Sequence, residues 1–286
     1  SLAISQCRTC RSDKKLLMDS LKQLQQVIGN ETDVRPRDLD FPYFPERRAK
    51  LPSDDKHLYR KLTENCDSVR IGDCPTTMGR GVFAIRDIAK GEVISSELPI
   101  VANSVDHGYC DNCLEKITHS HVNCDSCTTE HYCSEKCRDE AGRKWHKVLC
   151  GKDFSSLKDT VRNSQLPMSR VSLLVPRIYA MSKNPQQNHT ELSLVDALCS
   201  WSDTNRKPVP MSELLTREYS IEKQILGTEY DPEYGFEWYV QLKHSLIVNA
   251  FSTFSSVKKD TADGIALYGL TSFYNHSCNA NTCVRF

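Results

Sequence analysis

Residues 110–150 read CDNCLEKITHSHVNCDSCTTEHYCSEKCRDEAGRKWHKVLC. Seven cysteines and four histidines fall in these forty-one residues, and the cysteines with His146 are spaced Cys110-x2-Cys113-x10-Cys124-x2-Cys127-x5-Cys133-x3-Cys137-x8-His146-x3-Cys150. Aliphatic residues are scarce, so burial alone cannot hold the stretch together. Soft ligands at these intervals can. Two residues between cysteines let both sulfurs reach one ion through a tight turn, and eight ligands complete two tetrahedral zinc sites. No coordination position is left open, which marks the sites as structural rather than catalytic. Each metal contributes folding energy on the order of 10 kcal/mol. The Cys133–Cys137 and His146–Cys150 spacings fit one turn of helix, where i and i+4 share a face. His107, His119, His121 and His131 read as surface residues. Six Lys/Arg against seven Asp/Glu here leave no footprint for a phosphate backbone.

The rest of the 286-residue chain sets the limits. With 37 basic and 37 acidic residues there is no electrostatic case for nucleic acid or a membrane surface. A 39% hydrophobic content suits a globular core, and no run approaches a membrane-spanning length. Fourteen cysteines, clustered as C-x-x-C pairs and without a secretory signal pattern, point to zinc in a reducing compartment, cytoplasm or nucleus. The sequons at Asn30, Asn188 and Asn275 are then expected to be idle.

Outward from the cysteine cluster, residues 12–28 predict an amphipathic helix on Leu17, Leu21, Leu24 and Ile28. Residues 31–55, rich in Pro and charge, predict an extended linker. Val82–Ile85 and Val93–Ile94, split by a Lys90–Gly91 turn, predict short strands. Residues 152–225 are helical in pattern, with breaks near Asn184–Pro185 and Lys207–Pro210. Phe236 to Ala250 predicts a helix with Tyr239, Leu242, Leu246, Ile247 and Ala250 on one face. A turn follows at Asp263–Gly264, then a β-like run over Ile265–Phe273, and then Tyr274-Asn275-His276-Ser277-Cys278.

The cluster, with YCSEKCRDEAGRKWHKVLC at its end (residues 132–150), closely resembles the MYND zinc finger. That resemblance implies a crossed arrangement: one zinc on Cys110, Cys113, Cys133 and Cys137, the other on Cys124, Cys127, His146 and Cys150. It also implies a proline-containing peptide as the finger's partner. GRGVFAIRDIAKGEVI (residues 79–94) and the later NHSC (residues 275–278) resemble the two halves of a SET domain, the fold of most protein-lysine methyltransferases. A finger between those halves is the layout of the SET-and-MYND family. The fold expected is α+β, a SET-type β fold interrupted by the two-zinc finger and a helical insert. Its parts are a helical N-terminal segment and linker (1–68), the first SET part (69–106), the finger (107–151), the insert (152–240) and the SET core (241–286).

The resemblance implies S-adenosylmethionine as cofactor, held by Gly79, Arg80, Asn249, Asn275 and His276, with Ser272 a further candidate. Glycine suits a loop whose main chain must come close to a ligand, and the substrate is a protein lysine. Two departures stand out. Ala280 replaces the family's usual proline in Cys278-Asn279-Ala280-Asn281. The tyrosine and the cysteines of a third zinc site, expected beyond the Asn-His motif, do not occur before Phe286; Cys278 would be that site's ligand, and Cys283 reads as a strand residue. The chain is therefore read as a C-terminally shortened member of the family. The alternative is a non-catalytic, zinc-dependent interaction module.

Overall fold

The computed structural model describes residues 56–73, 80–104, 108–118, 121–164, 167–198, 213–228, 231–254, 262–275, 277 and 279–284. The expected helix at 12–28, the linker at 31–55, the break at 207–210, and Gly79, His107, His119, His276 and Cys278 lie outside them. Of the described residues, 56–274 form one unit and 275–284 belong to another.

In the first unit, helix α1 (Lys56–Thr63) buries Leu58 and Tyr59. It leads into β1 (Val69–Asp73), which pairs antiparallel with β2 (Arg80–Ala84) in the register Val69↔Ala84 to Asp73↔Arg80. The expected strand at Val93–Ile94 does not form. Residues 85–100 contain no strand; Gly91 takes a left-handed turn (φ 87°), and Val93 stays exposed. The next strand is β3 (Val101–Ser104), buried along its whole length.

A three-stranded antiparallel sheet runs in the order β3-β7-β6, with β6 spanning Ala250–Phe254 and β7 spanning Ala262–Leu267. Asp263–Gly264 therefore lies inside the central strand, not at a turn. An ideal Cβ on Gly264 would lie 2.8 Å from Leu114 Cδ2 and 3.0 Å from the Asn103 carbonyl. Glycine is there for close approach rather than for turning. The β-like run also stops early: Leu270–Phe273 is a 3₁₀ turn.

The finger contributes the hairpin β4 (Val122–Asn123) and β5 (His131–Tyr132), then α2 (Glu135–Ala141). A π-helical stretch, Gly142–His146, and the short α3 (Lys147–Leu149) continue it. Helices α4 (Ser155–Asn163), α5 (Val175–Ser182), α6 (His189–Ala197), α7 (Glu213–Leu226) and α8 (Phe236–Asn249) follow, with a 3₁₀ stretch at Pro167–Leu173. Helix α5 has Pro176 in its first turn, where no amide partner is lost, and is buried from Val175 to Met181. No helix among the described residues is long and apolar enough to cross a membrane.

The helical part encloses a polar core. Lys243 of α8 pairs with Glu218 of α7, which also accepts from Ser172 (3.0 Å) and Tyr239 (3.3 Å). One turn on, Glu222 accepts from the Tyr234 hydroxyl at 2.5 Å. Burial pushes the Glu222 carboxyl well above the usual carboxylate range, and the Tyr234 hydrogen bond and Lys243 offset this only in part. Folding at this site thus favours the protonated acid. Its contribution is complete below the unfolded value of about 4.3 and is lost as pH rises, by up to about 1.4 kcal/mol per unit until the folded value is passed. Thermal midpoints measured against pH should therefore fall less steeply above pH 5 in Glu222→Gln than in wild type. Superimposable profiles would contradict this.

Candidate metal centres and cofactor-facing segments

The first metal group begins at a tight knuckle. Cys110 donates its amide to Glu115 O (2.9 Å), and Leu114 donates to Cys110 O (2.9 Å) from a left-handed conformation with φ 62°. That turn puts Cys110 and Cys113 on one side. Cys133 follows β5 directly, and Ser134 caps α2 by accepting from the Cys137 amide at 3.3 Å. Cys133 therefore stands before the helix rather than on it, which corrects the one-turn reading of that pair. Cys124 and Cys127 lie between β4 and β5. His146 closes the π-helical stretch, and Cys150 follows α3.

The structure brings Cys110, Cys113, Cys133 and Cys137 together, and Cys124, Cys127, His146 and Cys150 together. Within each group the donor atoms all lie within 4.8 Å of one another. The shortest contacts are Cys113–Cys133 Sγ···Sγ 3.6 Å, Cys133–Cys137 3.6 Å, Cys124–Cys150 3.7 Å, and Cys127 Sγ to His146 Nε2 3.5 Å. A disulfide needs about 2.05 Å. A tetrahedral zinc with bonds of about 2.3 Å to sulfur and about 2.0 Å to nitrogen needs about 3.75 Å between sulfurs and about 3.5 Å between sulfur and nitrogen. In each group two contacts match the edges of a zinc tetrahedron, and the remaining donor pairs lie within 4.8 Å.

Their acid–base chemistry is compatible with zinc. Burial, then the Arg177 charge, holds the His146 imidazole below its usual range and hence neutral, the form that coordinates. Burial opposes ionisation of Cys127, but hydrogen bonds from Thr129 and the Gly151 amide prevail and bring it down to about 7. A hydrogen bond from Cys113 brings Cys110 down to about 5 and pushes Cys113 itself up, and burial raises Cys133 to about 11 and Cys150 to about 12, so without a metal each group holds thiols beside thiolates. Thiolates are the ligating species.

Arg177 of α5, only 1% exposed, ties the finger to the body. Its guanidinium donates to Asp111 O (2.5 Å), Asp111 Oδ1 (3.3 Å), Glu130 Oε2 (2.5 Å) and the Ala102 carbonyl of β3, and stacks 3.8 Å over Trp145. A second tie is apolar, where Leu114 of the knuckle packs on Ala102, Ala266 and Tyr268.

The expected cofactor residues are placed as follows. Arg80 is 6% exposed, and its guanidinium donates to Tyr59 OH (2.6 Å) and the Ala197 carbonyl while lying 5.4 Å over the Phe273 ring. Its side chain is thus committed inward. Asn249, buried at the end of α8, donates to Ser245 O at 2.7 Å, and its own carbonyl accepts from Ser272 Oγ at 3.3 Å. Both residues therefore touch the 3₁₀ turn Leu270–Phe273, two residues before Asn275. Asn275 is exposed and belongs to the other unit, where Asn279 donates its amide to Ser277 Oγ at 3.3 Å. Cys283 is exposed and lies in no strand, contrary to expectation.

Comparison with known proteins gives the class. Residues 79–286 match the SET domain model. A SET and MYND domain-containing protein of Dictyostelium discoideum is 25% identical over 262 residues, covering 80% of this chain and 76% of that protein. Histone-lysine N-methyltransferase ASHR1 of Arabidopsis thaliana is 28% identical over 247 residues, covering 80% of this chain and 46% of its own length. Protein-lysine N-trimethyltransferase SMYD5 of Mus musculus is 24% identical over 200 residues, covering 56% and 48%. The chain thus spans about half the length of the latter two. It belongs to the SET domain family, in its SET-and-MYND group. The comparisons give no support to the reading as a non-catalytic module.

Proposed function

We propose that the protein is an S-adenosylmethionine-dependent protein-lysine N-methyltransferase. The observation that carries this is the SET match over residues 79–286, with a finger-type cysteine cluster inside it. In this reading residues 69–106 and 241–286 are the two SET parts, 107–151 the finger and 152–240 the helical insert. Two zinc ions per chain occupy the two ligand groups. The finger takes a proline-containing peptide, and the protein works in the cytoplasm or nucleus, where its thiols stay reduced.

S-adenosylmethionine, when bound, supplies a methyl group on a sulfonium. The protein's task is positioning. Gly79 and Arg80 offer backbone on a glycine loop, while Asn249, Asn275 and His276 offer directional amide and imidazole groups. The lysine amine, with a free pKa of about 10.4, must lose its proton before attack, and an apolar channel favours the neutral form. In-line alignment at about 3 Å accounts for the rest.

The test is a calorimetric titration of the zinc-loaded protein with S-adenosylmethionine. Wild type is expected to bind at one site, and Asn275→Ala and His276→Ala to bind at least about tenfold more weakly, the loss of one or two directional hydrogen bonds. Equal affinity in all three would remove these residues from the site.

A further inference from the structure

Glu97 lies in the strandless loop between β2 and β3. Its half-buried carboxylate accepts four hydrogen bonds from one short segment far along the chain. The amides of Gly269 and Leu270 reach Oε2, each at 3.0 Å. The Thr271 amide reaches Oε1 at 2.7 Å, and the Thr271 hydroxyl donates to the same oxygen. Three consecutive amides at the start of a 3₁₀ turn are the donors a helix start leaves unpaired, and a carboxylate there complements both them and the helix dipole. Gly269 permits the approach, since a Cβ there would meet Glu97 Oε2 and Leu62 Cδ2, each at 3.0 Å.

That segment touches two of the residues proposed to hold the cofactor. Ser272 holds the Asn249 carbonyl, Phe273 lies under the Arg80 guanidinium, and Asn275-His276 follow directly in the chain. The 3₁₀ turn has no strand partner to fix it, and Glu97 satisfies its first amides.

We propose that Glu97 is a positioning residue for cofactor binding: it fixes the turn that holds the Asn249 carbonyl and lies against Arg80. This rests on the reading of those residues as cofactor ligands. Glutamine keeps the size of the side chain but replaces one acceptor oxygen with a donor. It therefore faces at least one segment donor with an N–H and removes the charge. A residue that only stabilised the fold would leave ligand affinity unchanged in protein that is still folded.

The experiment uses S-adenosylhomocysteine, the unreactive product, titrated calorimetrically into wild type, Glu97→Gln and Glu97→Ala, each with its full zinc content and at a temperature where all are folded. Glu97→Gln is expected to lose at least about tenfold in affinity and Glu97→Ala more, within the usual range of coupling between neighbouring elements. In wild type the amides of residues 269–271 should exchange hydrogen more slowly once the ligand is bound. Equal affinity in wild type and folded Glu97→Gln overturns this proposal alone. If the variants do not fold, unchanged exchange at 269–271 on ligand binding overturns it. No binding by wild type overturns the functional reading and this proposal with it.

Discussion

Replacing Cys137 with serine is expected to remove one zinc ion from the protein and unfold the finger. Cys137 is buried in the first turn of α2, where its amide is held by Ser134 and its sulfur lies 3.6 Å from Cys133. Serine keeps the shape but is a poor ligand for a soft-ligand tetrahedron. The contribution at stake is on the order of 10 kcal/mol, comparable to a typical domain's whole margin of stability. The β4–β5 hairpin, with two residues per strand, cannot stand alone. Metal analysis should fall from two zincs per chain to one, and limited proteolysis should open the finger. His121→Ala, at an exposed residue outside both groups, should change neither. A Cys137→Ser protein with two zincs and the wild-type proteolysis pattern would break the ligand assignment.

Arg177→Met is expected to cost about 3–5 kcal/mol, the penalty for leaving buried charges without their partner. The guanidinium is enclosed by Asp111, Glu130, Trp145 and the Ala102 carbonyl, and both acids are themselves buried. Burial opposes ionisation of the Glu130 carboxyl, and the Arg177 charge favours it. Without the arginine this acid must take up a proton or disrupt its surroundings. Adding Glu130→Gln should therefore recover part of the loss, and a double-mutant cycle in chemical denaturation measures how much. Additive single effects would show that the two side chains do not act as a pair.

The metal ligands were legible because their geometry is local: a C-x-x-C knuckle or a helical turn sets which sulfurs can meet. The assignment of pairs to metals came only from family resemblance, since spacing alone permits other groupings. The sheet was harder. Val93–Ile94 has the composition of a strand, but the chain pairs Val101–Ser104 instead, with a partner at 264–267 that no local pattern announces. Asp263–Gly264 reads as a turn, yet the glycine is demanded by Leu114 and the Asn103 carbonyl crowding the central strand. Glu97 and Arg177 were invisible for the same reason. Each is an ordinary charged residue until partners 172 and 66 residues away in sequence are brought against it. The Arg80 guanidinium serves the packing around Phe273 and Tyr59, which its glycine-loop setting does not announce.

Methyl transfer to lysine is the activity proposed for the protein. Its most direct test is mass spectrometry of a mixed protein substrate incubated with S-adenosylmethionine and the zinc-loaded protein. Methylated lysine side chains are expected with wild type, and their loss with His276→Ala. Lysine methylation no higher with wild type than with His276→Ala would contradict it.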